Sequence, residues 1–346
     1  MKYRSQLVSI VIVNYNGEKI LKDCLKSLAR VTYQKLEVIV VDNSSHDNSL
    51  FVINDFKKDF PRIILKIIKN KRNVGFAEGN NIALPHATGE FVLLLNNDTK
   101  VTPSFLHVLV HEINLNKLTG IVQPKIFFTD TGKLQSGGAL FTNIGFLYYF
   151  GFGKNPNANE YNNQAQIFSA NGACMLIRRS VIDEVGLFDD DFFAYYEETD
   201  FCQRVLMAGY SIFYIPDAYI FHKGGQTAKK RKESFIFFHS FKNRIASVIK
   251  NFEFFYAIKF LTYYMLIYFL LICYYFVKLR IDLSLAIIRA IAWNVFHVYD
   301  TIQKRKFIQK NNRKIRDREY LPRLSIQMPL RYYVRLLTNP GEEELT

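Results

Sequence analysis

With 346 residues, the chain is long enough for one large domain with an appendage, or for two domains. Its 45 Lys and Arg outweigh 31 Asp and Glu, but the excess is local: residues 1–222 carry 22 of each sign, whereas residues 223–335 carry 23 cations against 6 anions. That distribution implies a neutral body and a basic appendage facing an anionic surface, either lipid headgroups or nucleic acid. Cys24, Cys174, Cys202 and Cys273 form no paired spacing, and the N-terminal apolar run is too short for a signal peptide, so a reduced, cytoplasmic compartment is expected.

From the N-terminus to about residue 128, short apolar runs alternate with amphipathic segments, as in repeated βα units. Strands are predicted at 7–13, 36–41, 63–68, 91–95 and 121–127. Between them Ile20, Leu21, Cys24, Leu25 and Leu28 recur at helical spacing, and Val101, Phe105, Leu106, Leu109 and Ile113 do so less strictly. Cys24 and Cys202 read as small buried hydrophobes on helix faces. The expected fold class is α/β, a doubly wound and mostly parallel sheet flanked by helices. Residues 130–170, rich in Gly, Asn, Phe and Tyr, read as loops and short strands. A strand returns at 173–177, a helix follows at 197–208 closed by Gly209, and two strands at 212–215 and 218–221 precede His222.

After residue 230 the character changes, which divides the chain into 1–230, a helical region 231–312 and a basic tail 313–346. Residues 260–277 form an 18-residue run without a charge; a second apolar stretch, 281–298, is interrupted by Asp282 and Arg289. At about 1.5 Å per residue the first run reaches about 27 Å, just short of a bilayer core. Tyr263, Tyr264, Tyr268, Tyr274 and Tyr275 favour the interface, and basic flanks on both sides disfavour a single span. A monotopic arrangement or shallow hairpin on an anionic membrane surface is expected; a buried helical pair joining two copies of the chain is the alternative.

The chemistry is expected where strands end. The run Phe91 to Leu95 ends in Asn96-Asn97-Asp98, the first strand ends in Asn14-Tyr15-Asn16-Gly17, and the second ends in Asp42-Asn43-Ser44-Ser45. In open α/β sheets ligands bind at such carboxyl ends. Asp42 could hydrogen-bond a planar base flanked by Tyr15, and Asp98 could hold a divalent cation against a diphosphate; equally, Asn96 to Thr99 could be a turn capping a helix started by Pro103. No Gly-rich phosphate loop follows the first strand, which disfavours ordinary kinases and dehydrogenases. Glu197, Glu198 and Asp200 crowd the start of a helix, where negative charge is favoured whether or not it is catalytic.

Several motifs in order resemble glycosyltransferase family 2, inverting enzymes of the GT-A fold: residues 8–16 (VSIVIVNYN), 40–45 (VVDNSS), 73–81 (NVGFAEGNN) and 95–98 (LNND). Residues 172–179 (GACMLIRR) and 193–204 (FAYYEETDFCQR) resemble its rhamnosyltransferase-like branch. The resemblance, over roughly residues 6–250, implies that Asn14, Tyr15 and Asn97 line a nucleotide site, that Asp42 binds the base, and that Asn73, Gly75 and Asn80 shape the nucleoside pocket. It implies Asp98 as a ligand of Mg2+ or Mn2+, with Asn96 standing where a second acid is usual, and matches His222 to a further metal ligand. Glu198 is the expected catalytic base, with Glu197 second and Asp200 nearby, since mutual repulsion of clustered carboxylates raises one pKa toward the working pH. The implied activity is transfer of a sugar, rhamnose from dTDP-rhamnose as the leading donor, to a lipid-linked glycan at the cytoplasmic face of the membrane. A nucleotide-sugar-binding scaffold and a nucleic-acid-binding protein are the alternatives; the tail's apolar runs and the lack of a nucleic-acid motif speak against the latter.

Overall fold

The computed structural model describes residues 3–224, 232–329 and 331–333. The first half alternates strands and helices as predicted: β1 (Arg4–Asn14), α1 (Glu18–Leu28), β2 (Leu36–Asp42), α2 (Ser49–Asp59), β3 (Ile64–Lys69), α3 (Gly75–Ala83), β4 (Gly89–Leu95), β5 (Thr99–Val101), α4 (Phe105–Leu115) and β6 (Thr119–Phe128). Short strands β7 (Leu134–Ser136), β8 (Ala139–Thr142), β9 (Leu147–Tyr149) and β10 (Ala165–Gln166) lead to β11 (Cys174–Arg178), α5 (Arg179–Val185), α6 (Glu197–Met207) and β12 (Ser211–His222). The C-terminal third is helical: α7 (Glu233–Asn251), α8 (Phe254–Val277), α9 (Ile281–Phe296), α10 (Val298–Asn311) and α11 (Asp317–Leu324), with a final strand β13 (Ser325–Ile326).

The main sheet runs in the order β10-β12-β6-β11-β4-β1-β2-β3, parallel from β4 through β3 and between β6 and β12, with β11 antiparallel between β4 and β6. Burial on both faces explains the unbroken apolar runs. Along β1, Val8, Ile10 and Ile12 pack into one core with α1 and α4, while Val11 joins the other core with α3, α5 and α6. The period of two thus splits a continuous run between two layers. Cys24 and Cys202 are buried, as expected of helix faces.

Two local expectations change. Val101 lies in β5, and the helix begins only at Phe105, because the Asn96–Asp98 turn leads into a strand that pairs with β12. The runs at 212–215 and 218–221 are one strand, whose register shifts between Ile215 and Tyr219; this irregularity accommodates Pro216, which has no N–H for the ladder. Part of the basic tail is folded: α11 buries Tyr320, Leu321 and Leu324, and Asp317 accepts bonds from Arg313 and the Glu253 amide. The boundary at 230 and the end of the tail lie outside the described residues.

The helix α8 has two faces. Ala257, Phe260, Tyr264, Tyr268, Leu271 and Tyr275 are buried, and the four aromatic ones meet the rings of Phe141, Phe146, Phe241 and Phe237 in turn along the helix. Tyr264, Tyr268 and Tyr275 therefore belong to the protein core, a correction to their reading as interface residues. The opposite face exposes Phe255, Ile258, Leu266, Phe269, Leu270 and Phe276. Among the described helices only α8 is long and apolar enough by itself to cross a membrane; α9 and α10 qualify only together and are bent by 66° at their junction.

Candidate active site

Strand order reverses between β1 and β4, so the crevice at their carboxyl ends is the expected ligand site. Asn14, at the end of β1, joins three strand ends. Its Nδ2 donates to Asp42 Oδ1 (3.4 Å) and Ser45 Oγ (3.2 Å), and its Oδ1 accepts from Asn97 Nδ2 (2.8 Å). Asn14, Asp42 and Asn97 are all buried, so Asn14 and Asn97 fix the edge rather than project from it. A Cβ on Gly17 would collide with both amides. Asp42 Oδ2 also accepts from the Ser45 amide, and the Tyr15 ring is half-buried on the adjoining turn. Ser45, quoted within a motif but given no role, closes this network.

The predicted nucleoside pocket is built around α3. Asn73 Oδ1 accepts from the Gly75 amide at 2.9 Å, Asn43 Nδ2 donates to the Gly75 carbonyl at 2.8 Å, and Asn80 Nδ2 donates to the Phe76 carbonyl at 2.8 Å. Gly75 has φ of +90°, and any side chain there would strike the carbonyl of Phe193. That carbonyl accepts from the amides of Phe76 (2.7 Å) and Ala77 (3.4 Å). The first amides of α3 are therefore engaged by protein rather than free for phosphate.

His222 reaches Asp98 through topology: the antiparallel register of β12 on β5 sets His222 against Thr99. Its Nε2 lies 2.9 Å from Asp98 Oδ1 and 3.3 Å from the Asn96 amide, while Nδ1 meets Gln135 Oε1 at 2.9 Å. With Nδ1 donating to Gln135, Nε2 offers a proton to Asp98 or a lone pair to a cation beside it. Burial pushes the Asp98 carboxyl up, but the His222 charge and hydrogen bond, with the nearby Lys223, overcome this and hold it below the usual carboxylate range. An ionised carboxylate, an imidazole and an amide fit a divalent cation that takes its remaining ligands from diphosphate and water. Among the described residues no group of three acids, histidines or cysteines gathers to hold a metal without such help. Gln135 carried no signal in the sequence.

The acidic helix start lies close by. Asn96 N donates to the Ala173 carbonyl, and the adjacent Gly172 lies against Phe76 and Glu198. Before α6, Tyr195 and Tyr196 both adopt left-handed backbone (φ 72° each), a strained arrangement for two successive bulky residues. Glu197 is buried, with one carboxylate oxygen that finds no hydrogen-bond partner among the described residues; burial and then the charge of Glu198 push its carboxyl well up. Glu198 is half-buried, and burial pushes it up to about 7, against the opposing pull of backbone amides. The pair can thus hold one proton near neutral pH. Asp200 differs: its oxygens are held by Arg204 (3.0 Å), Lys250 (3.1 Å) and Asn251 (2.9 Å), and it has no exposed surface. Its position in the acidic cluster serves internal pairing, a correction to its grouping with the catalytic acids.

A doubly wound α/β sheet thus gathers amides and carboxylates at its switch point, next to an acid pair whose carboxyls burial pushes up. The chain belongs to the family described as Glycosyl transferase family 2, whose sequence profile matches residues 9–186, just over half its length. It is 28% identical over 205 residues to the low-salt glycan biosynthesis hexosyltransferase Agl10 of Haloferax volcanii, covering 57% of this chain and 61% of that protein, less than two thirds of the relative. It is 32% identical over 136 residues to the poly(ribitol-phosphate) beta-glucosyltransferase of Bacillus spizizenii, covering 36% of this chain and 21% of that one. In three dimensions it resembles the mannosyltransferase PcManGT from Pyrobaculum calidifontis in complex with GDP-Man and Mn2+, with a TM-score of 0.53 at 15% identity over 87% of this chain and 84% of that one. At that identity the likeness is one of fold, and the fold is the expected GT-A type.

Proposed function

We propose that the chain is an inverting glycosyltransferase that moves a sugar from a nucleotide-sugar donor to a hydroxyl of a lipid-linked glycan in cell-envelope polysaccharide synthesis. The observation that carries this reading is Glu198, half-buried and pushed up to about 7, beside the strand edge that holds Asp42, Asp98 and His222. Glu198 takes the proton of the acceptor hydroxyl as its oxygen bonds to the anomeric carbon. The bond from that carbon to the diphosphate breaks on the opposite side, the nucleoside diphosphate leaves with the electron pair, and configuration inverts. Asp98 and His222, with Asn96 beside them, would hold Mg2+ or Mn2+; when bound, such a cation supplies counter-charge to the diphosphate. The relatives named as glycan hexosyltransferase and polymer glucosyltransferase support the reaction class, and the sequence resemblance favours dTDP-rhamnose as donor.

The apolar outer face of α8 supports a monotopic seat on a membrane surface, because its inner stripe is packed against the domain along its length. A donor panel tests the reaction: purified protein, a lipid-linked acceptor extract and labelled dTDP-rhamnose, UDP-GlcNAc and GDP-Man, with Mn2+, Mg2+ or chelator. Turnover of one donor with inverted linkage, lost on chelation, is expected; turnover of none overturns the reading. Flotation with anionic vesicles is expected, and a stable dimer that ignores vesicles would assign the apolar face to a second copy.

A further inference from the structure

We infer that the C-terminal helices are part of the catalytic apparatus, with Asn243 and Lys250 of α7 as positioning residues that clamp the loop delivering Glu198. The inference rests on the glycosyl-transfer reading for its kinetic arm only. The loop between α5 and α6 has no regular structure of its own and ends in the left-handed pair Tyr195-Tyr196. Such backbone persists only where its surroundings over-determine it. Here they do. Asn243, fully buried, donates from Nδ2 to the carbonyls of both Ala194 (3.1 Å) and Tyr195 (2.7 Å). Two turns further along the same helix, Lys250 pairs with Asp189 at the start of the loop and with Asp200 in the first turn of α6 (3.1 Å), its ammonium 4.5 Å from the Phe192 ring. Asn251 adds a bond to Asp200.

A second helix completes the grip. Lys304 of α10 pairs with Asp189 and with Asp191 (2.6 Å), and Lys242 donates to the Asp191 carbonyl (2.6 Å). The loop is held at both ends and in the middle by side chains from α7 and α10, while Phe193 between them bonds α3. These holding residues lie beyond residue 186, where the family match ends. The clamp contacts fall on loop backbone and on the side chains of Asp189, Asp191, Phe192 and Asp200, none on Glu198 itself, so the clamp sets where the base stands rather than what it is.

Asn243→Ala and Lys250→Met in the full chain test this. Measured are kcat and donor KM for whichever of dTDP-rhamnose, UDP-GlcNAc and GDP-Man is turned over, affinity for dTDP, UDP and GDP with Mn2+, and amide hydrogen exchange of residues 193–200. A clamp predicts that kcat falls roughly 10- to 100-fold, the scale of a reacting group displaced by a fraction of an ångström to an ångström. Nucleotide affinity and KM should stay within about twofold, and exchange across 193–200 should accelerate. Unchanged kcat and exchange in the folded variants overturn the clamp, as does a loss of kcat matched by an equal loss of nucleotide affinity. If either variant fails to fold by circular dichroism, Asn243→Ser and Lys250→Arg, which each keep a donor, should restore exchange protection and kcat part of the way; native folding with no protection overturns it. If the wild-type chain turns over no donor, the functional reading falls while the exchange comparison still decides the clamp.

Discussion

The two sides of the site are held by different forces. On the side proposed for the nucleotide, neutral amides do the fixing: Asn14 with Asn97, Asn43 with Gly75, Asn80 with Phe76, all on or directly beside strands and helices packed into the two cores. On the side proposed for the base, ions do it: Asp189 and Asp200 with Lys250 and Arg204 are buried, and the partly exposed Lys304 ties Asp189 to the exposed Asp191. Amide contacts cost little to bury, since each group exchanges a water bond for a protein bond. Buried ions cost much more, and replacing such pairs with apolar groups often leaves stability unchanged or improved. The ionic side is therefore better explained by placement of the loop than by stability.

The widest separation between the two sides should come from Glu198→Gln. Transfer is expected to fall by about 10²–10⁴-fold, the usual contribution of a general base, with nucleotide affinity by calorimetry unchanged; a loss of affinity instead would move Glu198 to the donor side. The same variant has a stability signature. A carboxyl whose folded pKa lies above its unfolded value adds stability at low pH and loses it as pH rises through the folded pKa, here about 7. Glu198→Gln should therefore unfold at a higher temperature than wild type at about pH 8, the gap closing toward about pH 4.

On the ionic side, Asp189→Asn leaves Lys250 and Lys304 short of a partner and should cost about 3–5 kcal/mol by denaturant unfolding; a cost under about 1 kcal/mol, the size of an exposed pair, would show that the network is not effectively buried. For the cation, Gln135→Leu removes the partner of His222 Nδ1 and should weaken Mn2+ binding about 10- to 100-fold, without moving Asp98. Smallest, Gly75→Ala should cost about 1–3 kcal/mol from its positive φ, and it should disturb both sides at once, because Gly75 touches the Phe193 carbonyl.

The nucleotide side was largely legible in the sequence. Strands buried on both faces write themselves as apolar runs, and their ends are marked by Asn, Asp and Gly, so Asn14, Asp42 and Asp98 could be placed on one edge. His222 could be matched to a motif, but its contact with Asp98 needed the β12–β5 register, which no local pattern encodes. The base side was legible only as an acidic cluster. The i, i+4 spacing of Asp200 and Arg204 was the one local hint that Asp200 is paired whereas Glu198 is half-buried at the site; the other partners of Asp200, Lys250 and Asn251, come from α7, which no local pattern encodes. Lys242, Lys250 and Lys304 read as parts of a surface charge excess; once folded they face inward to the loop, so the local +17 overstates the charge available to a membrane. Lys242 shows the cost of that position, since burial lowers it to about 8.

The inner stripe of α8 bears on how the protein can be handled at the bench. Tyr268 and Tyr275 cover Phe241 and Phe237 of α7, the helix that supplies Asn243 and Lys250. Trimming the chain after α7 to rid it of its most apolar helix would uncover Phe237 and Phe241 and delete Lys304 as well. A chain shortened for solubility would lack both the cover of α7 and one cation of the loop network, so a negative activity assay on it would not count against the full chain.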